Sequence, residues 1–107
     1  MLKVLIADDE EKICQLIIKL INWEEMGLKI AATASNGIEA LEQAKICKPE
    51  ILITDIRMPG IDGMELIRKV KEKLPDTEIL YGGDMKTPAE FVRRAQVIFG
   101  NVLPEYL

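Results

Sequence analysis

The 107-residue chain contains no histidine. That absence takes imidazole out of every mechanism: a Ser-His-Asp triad, a Cys-His pair, a His-ligated zinc and a phosphohistidine are all excluded for these residues. Chemistry here must run on carboxylates, lysines, hydroxyls or thiols. Aromatics are scarce at 5%, which argues against a stacking surface for bases. Positive charge is in deficit, with 14 Lys and Arg against 18 Asp and Glu, so the basic footprint of a nucleic-acid binder is missing. This domain is not expected to hold DNA alone. No apolar run approaches the roughly 20 residues of a membrane span. Met1-Leu2-Lys3-Val4 leads straight into a strand pattern without a signal-peptide layout, and a cytoplasmic location with no membrane partner is expected. Cys14 and Cys47 sit in helical patterns without metal-ligand spacing, and both read as small buried hydrophobes.

What the chain has is 49% hydrophobic and 30% charged residues, the balance of one compact domain. Short apolar runs alternate with helical patterns. Val4-Leu5-Ile6-Ala7 reads as a buried strand, and Ile13, Leu16, Ile17 and Leu20 follow at helical spacing, predicting a helix over 10–22. Residues 28–34 form a second strand pattern broken at Asn36-Gly37. Ile38, Leu41 and Ala44, with the small Ala40 and Cys47, predict a helix that ends before Pro49. Ile51-Leu52-Ile53-Thr54 is a third strand. Asp62 opens a capping box with Glu65, and the helix that follows shows an apolar face of Met64, Ile67, Val70 and Leu74 before Pro75. Ile79-Leu80-Tyr81 is a fourth strand. Thr87-Pro88-Ala89-Glu90 reads as N-cap, N1 proline and capping acid of a helix running to Gly100, and a fifth strand is expected near 101–107. Such alternation implies βαβ units and an open, mostly parallel, doubly wound α/β sheet covered on both faces.

In such a sheet the ligand site lies beyond the carboxyl ends of the strands, at the topological switch point. Asp8 and Asp9 directly follow the first strand, and Asp55 directly follows the third. If those strands are neighbours, three carboxylates meet in one crevice. At about 5 Å they repel by ~3 kcal/mol per pair at an effective dielectric near 20, a cost that a hard divalent cation such as Mg²⁺ would offset. Asp8-Asp9-Glu10-Glu11 also suits the ordinary role of capping the first helix and complementing its dipole. The combination with Asp55-Ile-Arg-Met-Pro-Gly-Ile-Asp-Gly, at βαβαβ spacing, favours the cluster.

From Lys3 to about Leu80 the sequence resembles the receiver domain of two-component response regulators, through the motifs LIADDE, NGIEAL and ILITDIRMPGIDGMELI. The resemblance implies a flavodoxin-like (CheY-like) fold with five parallel strands in the order 2-1-3-4-5. Asp55 is then the phosphorylation site, taking a phosphoryl group from the phosphohistidine of a sensor histidine kinase. Asp8 and Asp9 correspond to the acidic pair that binds Mg²⁺ with Asp55, and the main-chain carbonyl of Arg57 falls where the family supplies another oxygen. Pro59 and Gly60 shape the following loop, and Asp62 reads as a helix cap rather than a ligand. Ile21-Asn-Trp-Glu-Glu-Met-Gly-Leu, with DIRMPG, resembles the subgroup joined to an AraC-type helix-turn-helix output domain. Trp23 is first an ordinary hydrophobe seating the first helix against the second strand. A homodimer is expected, with DNA reached only through an output domain outside this chain.

The pattern departs from the family beyond Leu80. Gly82 or Gly83 stands where a receiver places its switch Ser or Thr, and Thr87, the nearest hydroxyl, reads more readily as a helix cap. Tyr106 matches the switch aromatic, while the family's lysine and last helix have no counterpart, so residues 1–107 read as a C-terminally incomplete receiver. Not an enzyme is expected, but a phosphoacceptor with at most self-phosphorylation and autodephosphorylation. Two alternatives stay open: a degenerate receiver serving as a dimerisation or docking module, and a small Mg²⁺-dependent phosphohydrolase. Arg57 weakens the latter, since such enzymes place a second acid there.

Overall fold

The computed structural model describes residues 1–20, 22–55, 58 and 60–81. Within them the chain runs β1 (Leu2–Ala7), α1 (Glu11–Leu20), a 3₁₀ turn at Glu24–Met26, β2 (Leu28–Ala34), α2 (Gly37–Cys47), β3 (Ile51–Thr54), α3 (Gly63–Lys73) and β4 (Glu78–Tyr81). The strands form one parallel sheet in the order β2-β1-β3-β4. This is the first four-strand part of the expected order. The helix expected from Thr87 and the fifth strand lie outside the described residues.

Strand alternation assigns the two faces. On β1, Val4 and Ile6 join Cys14 and Ile17 of α1, together with Trp23, Leu28, Ile51, Ile53 and Leu80. Leu5 and Ala7 point the other way, into a second cluster with Ala40, Leu41 and Ala44 of α2 and Leu66 and Val70 of α3. Each large aliphatic buried there contributes about 1.5–3 kcal/mol relative to exposure. Between Val4 and Leu5 the pairing with β2 slips by one residue, from Ile30 to Ala32. Ala31 is therefore a bulge, and it reverses the parity of β2. Leu28 and Ile30 face the α1 side, whereas Ala32 and Ala34 face α2.

Local signals set the helix ends. Asn36 accepts a hydrogen bond from the Glu39 amide at 2.8 Å and caps α2, and Asp62 accepts from the Glu65 amide at 2.9 Å and caps α3. Asp62 is thus the cap that the sequence suggests. A Cβ on Gly37 would overlap the Ile61 carbonyl oxygen, so only glycine lets α2 begin this close to the loop after β3. Trp23 is 8% exposed and its indole Nε1 donates to the Ile18 carbonyl at 3.1 Å. It ties α1 to the start of β2 as expected.

Three apolar positions differ from the helical reading. Met64, expected on the core face of α3, is 53% exposed, and Leu66 is fully buried in its place. Ile38 and Leu16 are likewise exposed. In α2 the buried positions are Gly37, Ala40, Leu41 and Ala44 and in α3 Gly63, Leu66, Ile67 and Val70, so the buried side of each helix is turned away from Ile38 and from Met64. Cys14 is buried and Cys47 half-buried, both as free thiols. Burial and the Asp8 carboxylate push Cys14 up to about 11, so it stays a neutral hydrophobe.

Candidate functional site

The crevice opens where the sheet order reverses. β1 is flanked by β2 on one side and β3 on the other, so the connections leaving β1 and β3 diverge to opposite faces and leave a gap at the strand ends. The ladder continues one residue past the strands: the Asp8 amide donates to the Ala34 carbonyl and the Asp55 amide to the Ala7 carbonyl, each at 3.0 Å. Since Ala7 pairs with Thr54, Asp8 and Asp55 come next in register and share a face, that of Val4, Ile6, Ile51 and Ile53.

Asp8, Asp9 and Asp55 are brought together there. One carboxylate oxygen from each lies within 4.8 Å of the other two, with Asp9 exposed and Asp8 and Asp55 half-buried. Burial, with the charges of Asp55, Asp9 and Glu10, pushes the Asp8 carboxyl from 3.8 up to about 6, against the opposing effect of a hydrogen bond from the Glu10 amide at 2.9 Å. Both readings of the acidic run therefore hold. Asp8 fixes the turn into α1 and also belongs to the cluster. Hard oxygen donors, two of the three half-buried and all mutually repelling, are the donor set that suits a divalent cation such as Mg²⁺.

The segment after Asp55 is anchored at several points. The Thr54 hydroxyl donates to the Asp55 carbonyl at 2.9 Å, Met58 is buried in the α2–α3 cluster, and Gly60 takes the left-handed backbone at φ +83°. Sequence reasoning did not single out Thr54 or Met58. The signal for Thr54 was there, a hydroxyl at the end of an otherwise apolar strand and next to Asp55. Arg57, Gly82, Gly83, Thr87 and Tyr106 lie outside the described residues.

Comparison with known proteins agrees with this geometry. The model of the response regulator receiver domain matches residues 4–97. An uncharacterised transcriptional regulatory protein of Bacillus subtilis, YesN, is 42% identical over 80 residues, covering 75% of this chain and 22% of YesN. The transcriptional regulatory protein LnrK of the same organism is 38% identical over 80 residues, 75% of this chain and 36% of its own length. The chain thus spans well under half the length of these curated relatives. Among solved structures, the receiver domain of AraT, a response regulator from Geobacillus stearothermophilus, superposes with TM-score 0.73 at 32% identity, over 98% of this chain and 92% of that one. A two-component transcriptional regulator AraC from Clostridium phytofermentans gives 0.72 at 32%, over 89% and 73%. These neighbours match the AraC-type subgroup suggested by the sequence. Borrelia burgdorferi CheY in its complex with CheX gives 0.77 at 21% identity, over 92% and 89%, which shows the CheY-like fold. By sequence, fold and the placement of its acidic cluster, the chain belongs to the response regulator receiver domain family.

Proposed function

We propose that this domain accepts a phosphoryl group on Asp55 from the phosphohistidine of a sensor histidine kinase in a Mg²⁺-dependent reaction, and so controls a transcriptional output domain. One observation carries the reading: Asp8, Asp9 and Asp55 converge within 4.8 Å at the ends of β1 and β3. Asp55 is the nucleophile. Its carboxylate oxygen attacks phosphorus, an O–P bond forms, and the P–N bond to the donor imidazole breaks with its electron pair returning to nitrogen. These 107 residues contain no histidine, which suits a division of labour in which the donor histidine belongs to the kinase.

Asp8 and Asp9 place negative charge beside the nucleophile, which opposes the approach of an anionic phosphoryl group. A Mg²⁺ ion held by Asp8, Asp9 and Asp55, with the Arg57 main-chain carbonyl as a further oxygen, would supply the charge neutralisation that the transfer requires. The aspartyl phosphate biases an equilibrium between inactive and active forms, and the domain acts by that shift and by homodimerisation rather than by turnover. The regulated output, DNA binding in a cytoplasmic protein, belongs to residues beyond these 107, a view supported by the greater length of YesN and LnrK.

Beryllofluoride with Mg²⁺ tests the reading. Amide resonances at Asp8, Asp9 and Asp55 are expected to shift together in the wild type and to stay in place in Asp55→Asn. The Gly82-Gly83 pair favours the second reading, a docking module whose carboxylates persist without a coupled switch. That reading predicts beryllofluoride binding with no change in oligomer size.

A further inference from the structure

Thr54 ends β3 and is only 1% exposed. Strand alternation puts its side chain on the face of Leu52, opposite to Asp55. A hydroxyl buried at such a place carries a desolvation cost that a hydrogen bond must offset, whereas valine has the same shape, an equal preference for strands and no such cost. The chain nevertheless has the hydroxyl, and that hydroxyl donates to the Asp55 carbonyl at 2.9 Å. The Asp55 amide is held as well, by the Ala7 carbonyl at 3.0 Å. With both main-chain groups of Asp55 engaged, the peptide planes on either side of its Cα are fixed, and so is the direction of its Cα–Cβ bond. Burial of Met58 pins the far side of the same short segment.

We propose that Thr54 is a positioning residue for Asp55: by holding the Asp55 carbonyl from the opposite face of the sheet, its hydroxyl sets the direction of the nucleophilic carboxylate. The proposal rests on the reading of Asp55 as phosphoacceptor. Thr54 touches no reacting atom and acts only through the Asp55 main chain. Small misplacements of a nucleophile or metal ligand cost far more in rate and affinity than in stability.

The test compares Thr54→Val, Thr54→Ala and Thr54→Ser with the wild type. Each is measured for its rate of labelling by acetyl phosphate at saturating Mg²⁺, for Mg²⁺ affinity by titration calorimetry, and for melting temperature. Loss of the hydroxyl in the Val and Ala variants is expected to slow labelling and to weaken Mg²⁺ binding, each by about tenfold, while Ser stays within about twofold of wild type because it keeps the donor. The Val variant is expected to melt close to the wild type, which separates positioning from unfolding. Wild-type labelling and Mg²⁺ affinity in Val and Ala, or a Ser variant as impaired as Val, would overturn the role of Thr54. A wild type that takes no label at all would instead overturn the reading of Asp55.

Discussion

Asp8 and Asp55 are neighbours one residue beyond the last register pair of β1 and β3, Ala7 with Thr54, and their amides extend the parallel ladder to Ala34 and Ala7. Two carboxylates on one sheet face, joined by Asp9, are thus imposed by register rather than by loop conformation. The cost of that arrangement falls on Asp8, whose carboxyl is pushed up to about 6 first by burial and then by the charges of Asp55, Asp9 and Glu10.

Removing the Asp8 charge relieves that cost. Asp8→Asn keeps an oxygen to accept the Glu10 amide and loses the partly desolvated charge and its repulsion by Asp55 and Asp9, so the metal-free protein is expected to gain roughly 1 kcal/mol, a figure lowered by solvent screening of a half-exposed group. Mg²⁺ stabilises only the wild-type cluster and should shrink or reverse the gain. Thermal melts with and without Mg²⁺ check this; equal shifts in both conditions would contradict a shared cation site.

The same carboxyl sets a pH dependence of definite sign. Its folded value, about 6, lies above the ordinary 3.8, so between those values the folded state binds more protons than the unfolded one. The contribution of Asp8 to metal-free stability therefore falls as pH rises through that window. Urea unfolding from pH 4 to pH 7 should show the stability of Asp8→Asn, relative to wild type, rising with pH and then levelling off.

Gly37 reverses a common rule. Glycine to alanine in a helix ordinarily stabilises, but here the new methyl meets the Ile61 carbonyl oxygen. Gly37→Ala is expected to cost about 1–3 kcal/mol and to displace the loop after β3, with a loss of Mg²⁺ affinity. Asn36→Ala, which removes only the cap, should cost about 1 kcal/mol and leave Mg²⁺ affinity alone. Chemical denaturation and calorimetric titration of the two variants separate these effects.

α3 offers a paired comparison. Leu66 is fully buried and Met64 is 53% exposed. Leu66→Ala should lose about 2–5 kcal/mol, whereas Met64→Ala should stay within about 0.5 kcal/mol of wild type, as read from urea midpoints.

The strands, the cap at Asp62 and the acids directly after β1 and β3 were legible because each depends on short-range pattern, apolar runs of strand length and a capping residue, whereas the sheet order that brings Asp8, Asp9 and Asp55 together came from the family resemblance. The cap at Asn36, read in the sequence only as a break, was found in the structure. What the sequence concealed depends on packing distance. Met64 and Leu66 stand two residues apart and so on opposite sides of α3; either could complete an apolar face with Ile67 and Val70, and the packing of the helix buries Leu66 and leaves Met64 exposed. The bulge at Ala31 leaves no mark in LKIAATA, where every residue suits a strand, yet it decides which face Ala32 and Ala34 join. Thr54 was readable as a strand end, while its bond to the Asp55 carbonyl required the turn geometry.

The most direct measurement is the mass of the intact protein after incubation with acetyl phosphate and Mg²⁺. Wild type is expected to gain one phosphoryl group, labile at alkaline pH as an acyl phosphate is, and Asp55→Asn to gain none. An unchanged wild-type mass, or equal labelling of Asp55→Asn, would contradict phosphoryl acceptance on Asp55.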